Sequence, residues 1–453
     1  MLIATNPFTE QRLAEYPSLK GQAIHDRIQL AQDAFPAWRD KSFPERAQVL
    51  KDVAAELRKQ KDALAQLMAD EMGKPLKEGG PEVEKSAWCA EHYAEHAEAY
   101  LADEHLASDA SESYVSYEPL GVLLGILPWN APLWLAFRYL APSLMAGNTC
   151  TLKHDPNVPG CAQAICDAFK AAGAPDNIVV NLPLETPDVE TAIRAPQIMA
   201  VSFTGSAPAG SKVAAMAASE IKPSVLELGG SDPFIVMADA DLEKAMDIAT
   251  LSRIINAGQS CIAAKRIMVE KSVHGRFVEG VKTRLEKLRM GDPNDAATDI
   301  GPLARKDLQQ NLHRQVQATI EAGASCLLGG ELPDGSGFFY PPTLLTDVSP
   351  AMCAFHEETF GPVMVVIAVD SLDQAIELAN QSEYGLGAAL WMADTEQARQ
   401  AARRLYTGQV AINGIVKTDP RLPSGGVKRS GFGRELGPHG IKEFVNAKQI
   451  WIK

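Results

Sequence analysis

Three short segments hold side chains able to do covalent chemistry at a carbonyl carbon. In Asn256-Ala257-Gly258-Gln259-Ser260-Cys261-Ile262-Ala263-Ala264 a cysteine follows a helix end and a run of small residues that leave its sulfur accessible. A thiolate there is a candidate nucleophile. In Glu227-Leu228-Gly229-Gly230-Ser231-Asp232-Pro233 a carboxylate closes a strand ahead of two glycines, where backbone can approach closely. Such a carboxylate can serve as a general base. In Leu127-Pro128-Trp129-Asn130-Ala131-Pro132-Leu133-Trp134 an asparagine lies between a strand and a helix, where its amide can face a developing oxyanion. Each segment alone also fits a plain alternative. The cysteine can be a small buried hydrophobe, the acid a member of a surface turn, and the asparagine a helix N-cap.

A fourth segment, Phe203-Thr204-Gly205-Ser206-Ala207-Pro208-Ala209-Gly210, follows a strand and opens a helix. Gly205 supplies a tight turn, and the helix N-terminus offers free N–H groups to a phosphate. The G-x-G-x-x-G fingerprint is absent, so an ordinary strand-to-helix turn fits equally well. His92-Tyr93-Ala94-Glu95-His96 matches the H-x-x-E-H pattern of inverted zincins. It lies in a Glu- and Ala-rich stretch that reads as an exposed helix without a third ligand motif, and we expect no metal site.

The elements that must position these groups are legible in part. The first hundred residues read as helices. Ser42-Phe43-Pro44-Glu45 is a capping box, Gly79-Gly80-Pro81 is a break, and a helix follows around Trp88–Tyr100. From Tyr114 strands and helices alternate: strands at 122–127, 149–153, 178–182, 198–203 and 224–228, with helices at 158–172 and 206–219 between them. A second series has strands at 234–237, 267–269 and 363–367 and helices at 242–255, 273–288 and 372–379. This rhythm predicts an α/β fold with mainly parallel sheets covered by helices.

The chain has 453 residues, 46% of them hydrophobic and 22% charged, which is a globular balance and excludes a disordered or fibrous protein. Its net charge of −14 disfavours nucleic acid and anionic membranes as partners. No apolar run of membrane-spanning length and no secretory signal is visible. Seven cysteines, without a C-x-x-C pair, suit a reducing, cytoplasmic compartment.

Taken in order, the segments PWNAPLW (128–134), TLKHDPNVPG (151–160), FTGSAPAG (203–210), LELGGSDP (226–233), GQSC (258–261), EETFGPV (357–363) and SGGVKRSGFGRELG (424–437) resemble the aldehyde dehydrogenase superfamily over nearly the whole chain. Within it the chain looks most like bacterial NAD(P)-dependent succinate-semialdehyde dehydrogenases. The resemblance implies two Rossmann-type domains and a small β arm for oligomerisation. It places the cofactor-binding domain at 1–110 and 127–226, the catalytic domain at 227–427, and the arm at 111–126 and 428–453, giving a homodimer or a dimer of dimers.

The resemblance also assigns roles. Cys261 matches the nucleophile, Glu227 the general base, and Asn130 the side-chain half of the oxyanion hole. Trp129, Lys153, Gly205, Ser206, Leu228, Glu358 and Phe360 match cofactor-binding positions, with Lys153 on the adenosine ribose, Glu358 on the nicotinamide ribose and Phe360 beside the nicotinamide. The implied reaction oxidises an aldehyde, succinate semialdehyde to succinate, through a cysteine thiohemiacetal and a thioester, and needs no metal. The alternatives are glutarate semialdehyde or another aliphatic aldehyde, acyl transfer to coenzyme A or phosphate in place of water, and a non-catalytic binder. Many NAD-preferring relatives carry a glutamate three residues after the lysine; here that position is Pro156. Both NAD and NADP are therefore expected, with a lean to NADP. For a substrate carboxylate, Arg138, two turns beyond Asn130, and Arg421 are the candidate cations, with Thr418 and Trp134 beside them; Arg138 also fits a structural salt bridge.

Overall fold

Val122–Leu127 is apolar and buried at all positions, the signature of a strand covered on both faces in a parallel sheet. In a computed structural model, which describes residues 1–453, this strand lies inside a six-stranded sheet. Its neighbours run in the order Gly431–Phe432, Ser224–Glu227, Ile198–Thr204, Val122–Leu127, Thr149–His154, Val179–Asn181. All pairings are parallel except that of Gly431–Phe432 with Ser224–Glu227. Numbered along the chain, the five parallel strands follow the 3-2-1-4-5 order of a dinucleotide-binding sheet. The strand order reverses between Val122–Leu127 and Ile198–Thr204, so the turns after Leu127 and Thr204 open on one crevice. Those turns carry Trp129-Asn130 and Gly205-Ser206.

A seven-stranded sheet follows, ordered Ser325–Leu328, Thr343–Thr346, Val363–Val369, Ala264–Glu270, Asp232–Val236, Gly387–Trp391, Gln409–Ile412. Only its first strand is antiparallel. The last parallel strand of the first sheet ends at Glu227, and the second sheet begins at Asp232. The Gly229-Gly230 connection thus joins the two.

The structure departs from four expectations. The first hundred residues are not helical throughout, since Leu2–Thr5 and Arg12–Tyr16 form an antiparallel pair. The sequence 79–81 does not break a helix: one helix runs from Leu76 to Tyr100 through Pro81. Pro81 sits in the second turn, and Gly79 is there because a Cβ would lie 2.9 Å from that of Ala65 on the neighbouring helix. This helix is not an exposed one, because His92 is 4% exposed and lies 3.2 Å from the Tyr100 hydroxyl. Burial holds the His92 imidazole near pKa 4, so it stays neutral. Finally, the arm boundaries need correction. Val122–Ile126 belongs to the first sheet, because its apolar residues need cover on both faces, and Gly431–Phe432 pairs with Leu226–Glu227. What lies apart is a three-stranded sheet of Glu104–His105, Glu112–Pro119 and Val445–Ile452.

Candidate active site

Cys261 leaves a short 3-10 turn, Ile255–Gly258, in which three successive residues, Asn256, Ala257 and Gly258, have φ of 55°, 52° and 75°. A non-glycine residue in that region costs energy, and the surroundings supply the compensation. Arg253, fully buried, donates to the carbonyls of Gly258 (2.6 Å) and Ala264 (3.3 Å). Glu78 accepts from the Asn256 amide N–H at 2.7 Å. Lys265, fully buried, donates to the carbonyls of Ser260 (2.8 Å) and Cys261 (2.5 Å). Gly258 cannot carry a side chain, since a Cβ would lie 2.3 Å from the Gly361 carbonyl oxygen.

Asn130 is not a helix cap, because the helix Pro132–Met145 begins after Ala131. Its Nδ2 donates instead to the Gln259 carbonyl at 3.0 Å, and its own carbonyl accepts from Asn256 Nδ2 at 2.7 Å. The two chain segments are thereby locked together, with the Asn130 amide two residues from Cys261. Cys261 is half-buried. Burial pushes its thiol up to about 11, against the pull of the Lys265 and Arg138 cations.

Glu227 ends its strand opposite Thr204 and Gly431 and is 5% exposed. Its Oε2 accepts from Arg138 Nη2 at 3.2 Å, while Oε1 has no partner. The same Arg138 nitrogen stands 2.5 Å from Glu435 Oε2. Burial raises the Glu227 carboxyl to about 8; Arg138 opposes the shift and Glu435 adds to it. A Cβ on Gly425 would lie 2.6 Å from Glu227 Oε1, so that glycine (φ +148°) keeps open the space in front of the carboxylate.

The cofactor-type residues lie along the crevice. Lys153, at the end of Thr149–His154, is 5% exposed and makes no ion pair within 4.0 Å; Asp155 beside it is engaged by Arg305 at 3.4 Å. Gly205 follows Thr204, whose buried hydroxyl is unpartnered, and Ser206 is the N-cap residue of the helix Ala207–Ser219. Leu228 closes against Gly210, where a Cβ would lie 2.5 Å from Leu228 Cδ2. Trp129 and Phe360 meet edge to face with ring centroids 5.8 Å apart. Glu358 is turned onto the glycine pair: it accepts from the Gly230 N–H at 3.1 Å and pairs with Lys265 at 3.2 Å. In this conformation it is committed to protein partners.

The substrate-type residues divide. Arg138, 3% exposed, is held between Glu227 and Glu435, so the salt bridge is the reading the geometry favours over a free carboxylate clamp. Arg421 is committed to a protein partner as well. It pairs with Asp419 at 2.6 and 2.8 Å and lies over the Trp88 ring. Trp134 and Thr418 do come together, and what joins them is a residue the sequence did not single out, Lys85. Its Nζ lies 4.1 Å from the Trp134 ring centroid and 2.8 Å from Thr418 Oγ1. Glu435 was legible only as part of the GRELG segment. Glu78, Arg253 and Lys265 carried no signal in the sequence.

A half-buried cysteine on a loop tied to an asparagine amide, together with a buried carboxylate at the end of a strand in a 3-2-1-4-5 sheet, fits a covalent oxidoreductase site. The aldehyde dehydrogenase family pattern matches residues 2–450, and the chain belongs to that family. It is 47% identical over its full length, and that of its relative, to a probable succinate-semialdehyde dehydrogenase (NADP+) of Synechocystis sp.. It is 44% identical to the succinate semialdehyde dehydrogenase (NAD(P)+) Sad of Escherichia coli, covering 99% of this chain and 97% of that one. Among solved structures, the succinic semialdehyde dehydrogenase of Streptococcus pyogenes in complex with NADP+ superposes with a TM-score of 0.97 at 33% identity, covering 100% of both chains.

Proposed function

We propose that this enzyme oxidises succinate semialdehyde to succinate with NADP or NAD as hydride acceptor, with a lean to NADP. The observation that carries the chemistry is the 3.0 Å hydrogen bond from Asn130 Nδ2 to the Gln259 carbonyl, which fixes an amide donor beside the Cys261 loop. The names of the full-length relatives support the substrate class.

Cys261 gives up its thiol proton to solvent, the sulfur adds to the aldehyde carbon to form a C–S bond, and the carbonyl oxygen becomes an oxyanion. Asn130 Nδ2 and the Cys261 backbone N–H receive that charge. Loss of one such donor typically costs ~10²–10³ in rate. A bound nicotinamide supplies the hydride acceptor that takes the adduct to the thioester. Glu227 then draws a proton from water, the hydroxide adds to the thioester carbon, and collapse expels the thiolate with release of the carboxylate. General-base help of this kind is worth ~10²–10⁴. Glu227 must leave Arg138 to reach that water, and the space kept by Gly425 permits the movement.

The crevice residues fit a dinucleotide. The strand order, the open N-terminus at Ser206 and the unpartnered Thr204 hydroxyl suit a pyrophosphate. Lys153, lacking a carboxylate partner, with Pro156 three residues on, suits an adenosine ribose that carries or lacks a 2′-phosphate. Trp129 and Phe360 would flank the nicotinamide end, and Glu358 would turn from Gly230 to hold its ribose.

Seven free cysteines suit a cytoplasmic setting, and the net charge of −14 suits a protein without nucleic-acid or membrane partners. The separate sheet, with Trp451 and Ile452 each 44% exposed on its edge strand, supports a homodimer or a dimer of dimers built through that arm. The activity is tested by following NAD(P)H formation with succinate semialdehyde, glutarate semialdehyde, butanal and benzaldehyde. A strong preference for succinate semialdehyde supports the reading. Equal rates with butanal would remove the acid substrate, and a hundredfold preference for NAD would remove the cofactor lean.

A further inference from the structure

Lys265 directs a buried positive charge at main-chain carbonyls of the Cys261 loop. Its side chain is fully buried, and its ammonium has three acceptors: the Ser260 carbonyl at 2.8 Å, the Cys261 carbonyl at 2.5 Å and Glu358 Oε1 at 3.2 Å. Three donors on three acceptors fix the charge in place. The Ser260 carbonyl also accepts from the Ala263 N–H at 3.2 Å, so both of its lone pairs are used. The peptide that joins Ser260 to Cys261 is trans, and its N–H points opposite to that carbonyl. The carbonyl side of the loop faces Lys265 and the glycine turn, where a Cβ on Gly230 would lie 3.1 Å from the Cys261 carbonyl oxygen. The Cys261 N–H, on the other side, has no acceptor within the protein.

We infer that Lys265 is a positioning residue for the oxyanion: by holding the Ser260 carbonyl, its ammonium polarises the Ser260–Cys261 peptide and strengthens the Cys261 N–H as a donor to the aldehyde oxygen. This rests on the role proposed above for that N–H. The oxygen and nitrogen of a peptide share one delocalised system, so a cation on the oxygen draws density from the nitrogen. Hydrogen bonds linked in this way reinforce one another, and more so away from water. The N–H thereby carries more positive charge at the place where the reaction develops negative charge, before substrate arrives. Asn130 Nδ2, the other donor, is held by the neutral Gln259 carbonyl and has no such support. Glu358 tempers the effect, because its carboxylate partly neutralises the ammonium.

The test uses the full chain without cofactor and two reagents that both need the Cys261 thiolate, each followed by mass on the peptide that carries Cys261. p-Nitrophenyl acetate is attacked at a carbonyl: the sulfur passes through an oxyanion, displaces p-nitrophenolate and keeps the acetyl group. Iodoacetamide is attacked at its methylene carbon: the sulfur displaces iodide and no oxyanion forms. The ratio of the two rate constants cancels the ionisation of Cys261 and reads the oxyanion hole. In Lys265→Met the ratio should fall on the order of 10-fold, part of the ~10²–10³ that a whole donor is worth. Glu358→Gln, which covers the case in which Lys265→Met does not fold, removes the counter-charge and should raise the ratio about two- to threefold. A wild-type ratio in folded Lys265→Met, or in Glu358→Gln, would overturn the role of Lys265. Asn130→Ala should also lower the ratio. A wild-type ratio there would overturn the oxyanion position itself, and an acetyl group on a residue other than Cys261 would overturn the nucleophile.

Discussion

Arg138 Nη2 lies 3.2 Å from Glu227 Oε2, so the carboxylate we propose as the base is held by a buried guanidinium. Both residues are at most 5% exposed, and Glu435 completes a charge cluster of two acids and one base. On the proposed mechanism Arg138 acts through Glu227.

Replacing Arg138 by Met leaves two buried carboxylates without their cation. Breaking a buried pair in this way costs about 3–5 kcal/mol. The urea midpoint should fall accordingly, and kcat/KM should drop for acid and neutral aldehydes alike. A selective rise in KM for the acid alone would restore Arg138 as the substrate clamp.

The pH dependence follows from the same cluster. The Glu227 carboxyl, raised to about 8, must be ionised to act as base, so hydrolysis should gain as pH rises from 7 to 9. Glu435 adds to that raised value, and Arg138 and Arg434 oppose it. Glu435→Gln removes a negative neighbour, so the acid limb of kcat should move to lower pH. A limb that stays in place, measured under conditions where hydrolysis limits turnover, would separate Glu435 from the base.

Helix Leu76–Tyr100 supports both halves of the site from one turn. Glu78 holds the Asn256 N–H, and Glu82, paired with buried Lys74, holds the N–H groups that open the helix carrying Arg138. Glu78→Ala should lower kcat with every aldehyde by loosening the Cys261 loop. Lys74→Met should show its effect as lost stability, about 3–5 kcal/mol by urea unfolding. Wild-type kcat in Glu78→Ala would show that the loop holds itself.

Much of this was legible in the sequence for a physical reason. Buried parallel strands such as Val122–Leu127 are apolar throughout, and turns such as Thr204-Gly205-Ser206 announce themselves by residue type. The cysteine, the glutamate and the asparagine stand in short segments whose small neighbours mark a close approach of backbone. What the sequence hid depends on contacts between distant segments. Pro81 passes inside a helix because tertiary packing outweighs propensity. Arg138 at helical spacing from Asn130 reads equally as clamp or salt bridge, and only the arrival of Glu435 from the far end of the chain decides between them. Lys85 looks like one more charge in a Glu-rich helix until Trp134 and Thr418 close around it.

The most direct test of the account is rapid mixing of Glu227→Gln with succinate semialdehyde and NADP, following NADPH and then the mass of the trapped protein. The account predicts a burst of about one NADPH per site, an acyl group on Cys261, and steady turnover reduced by ~10²–10⁴. Full steady turnover in this variant, or an acyl group on a residue other than Cys261, would contradict it.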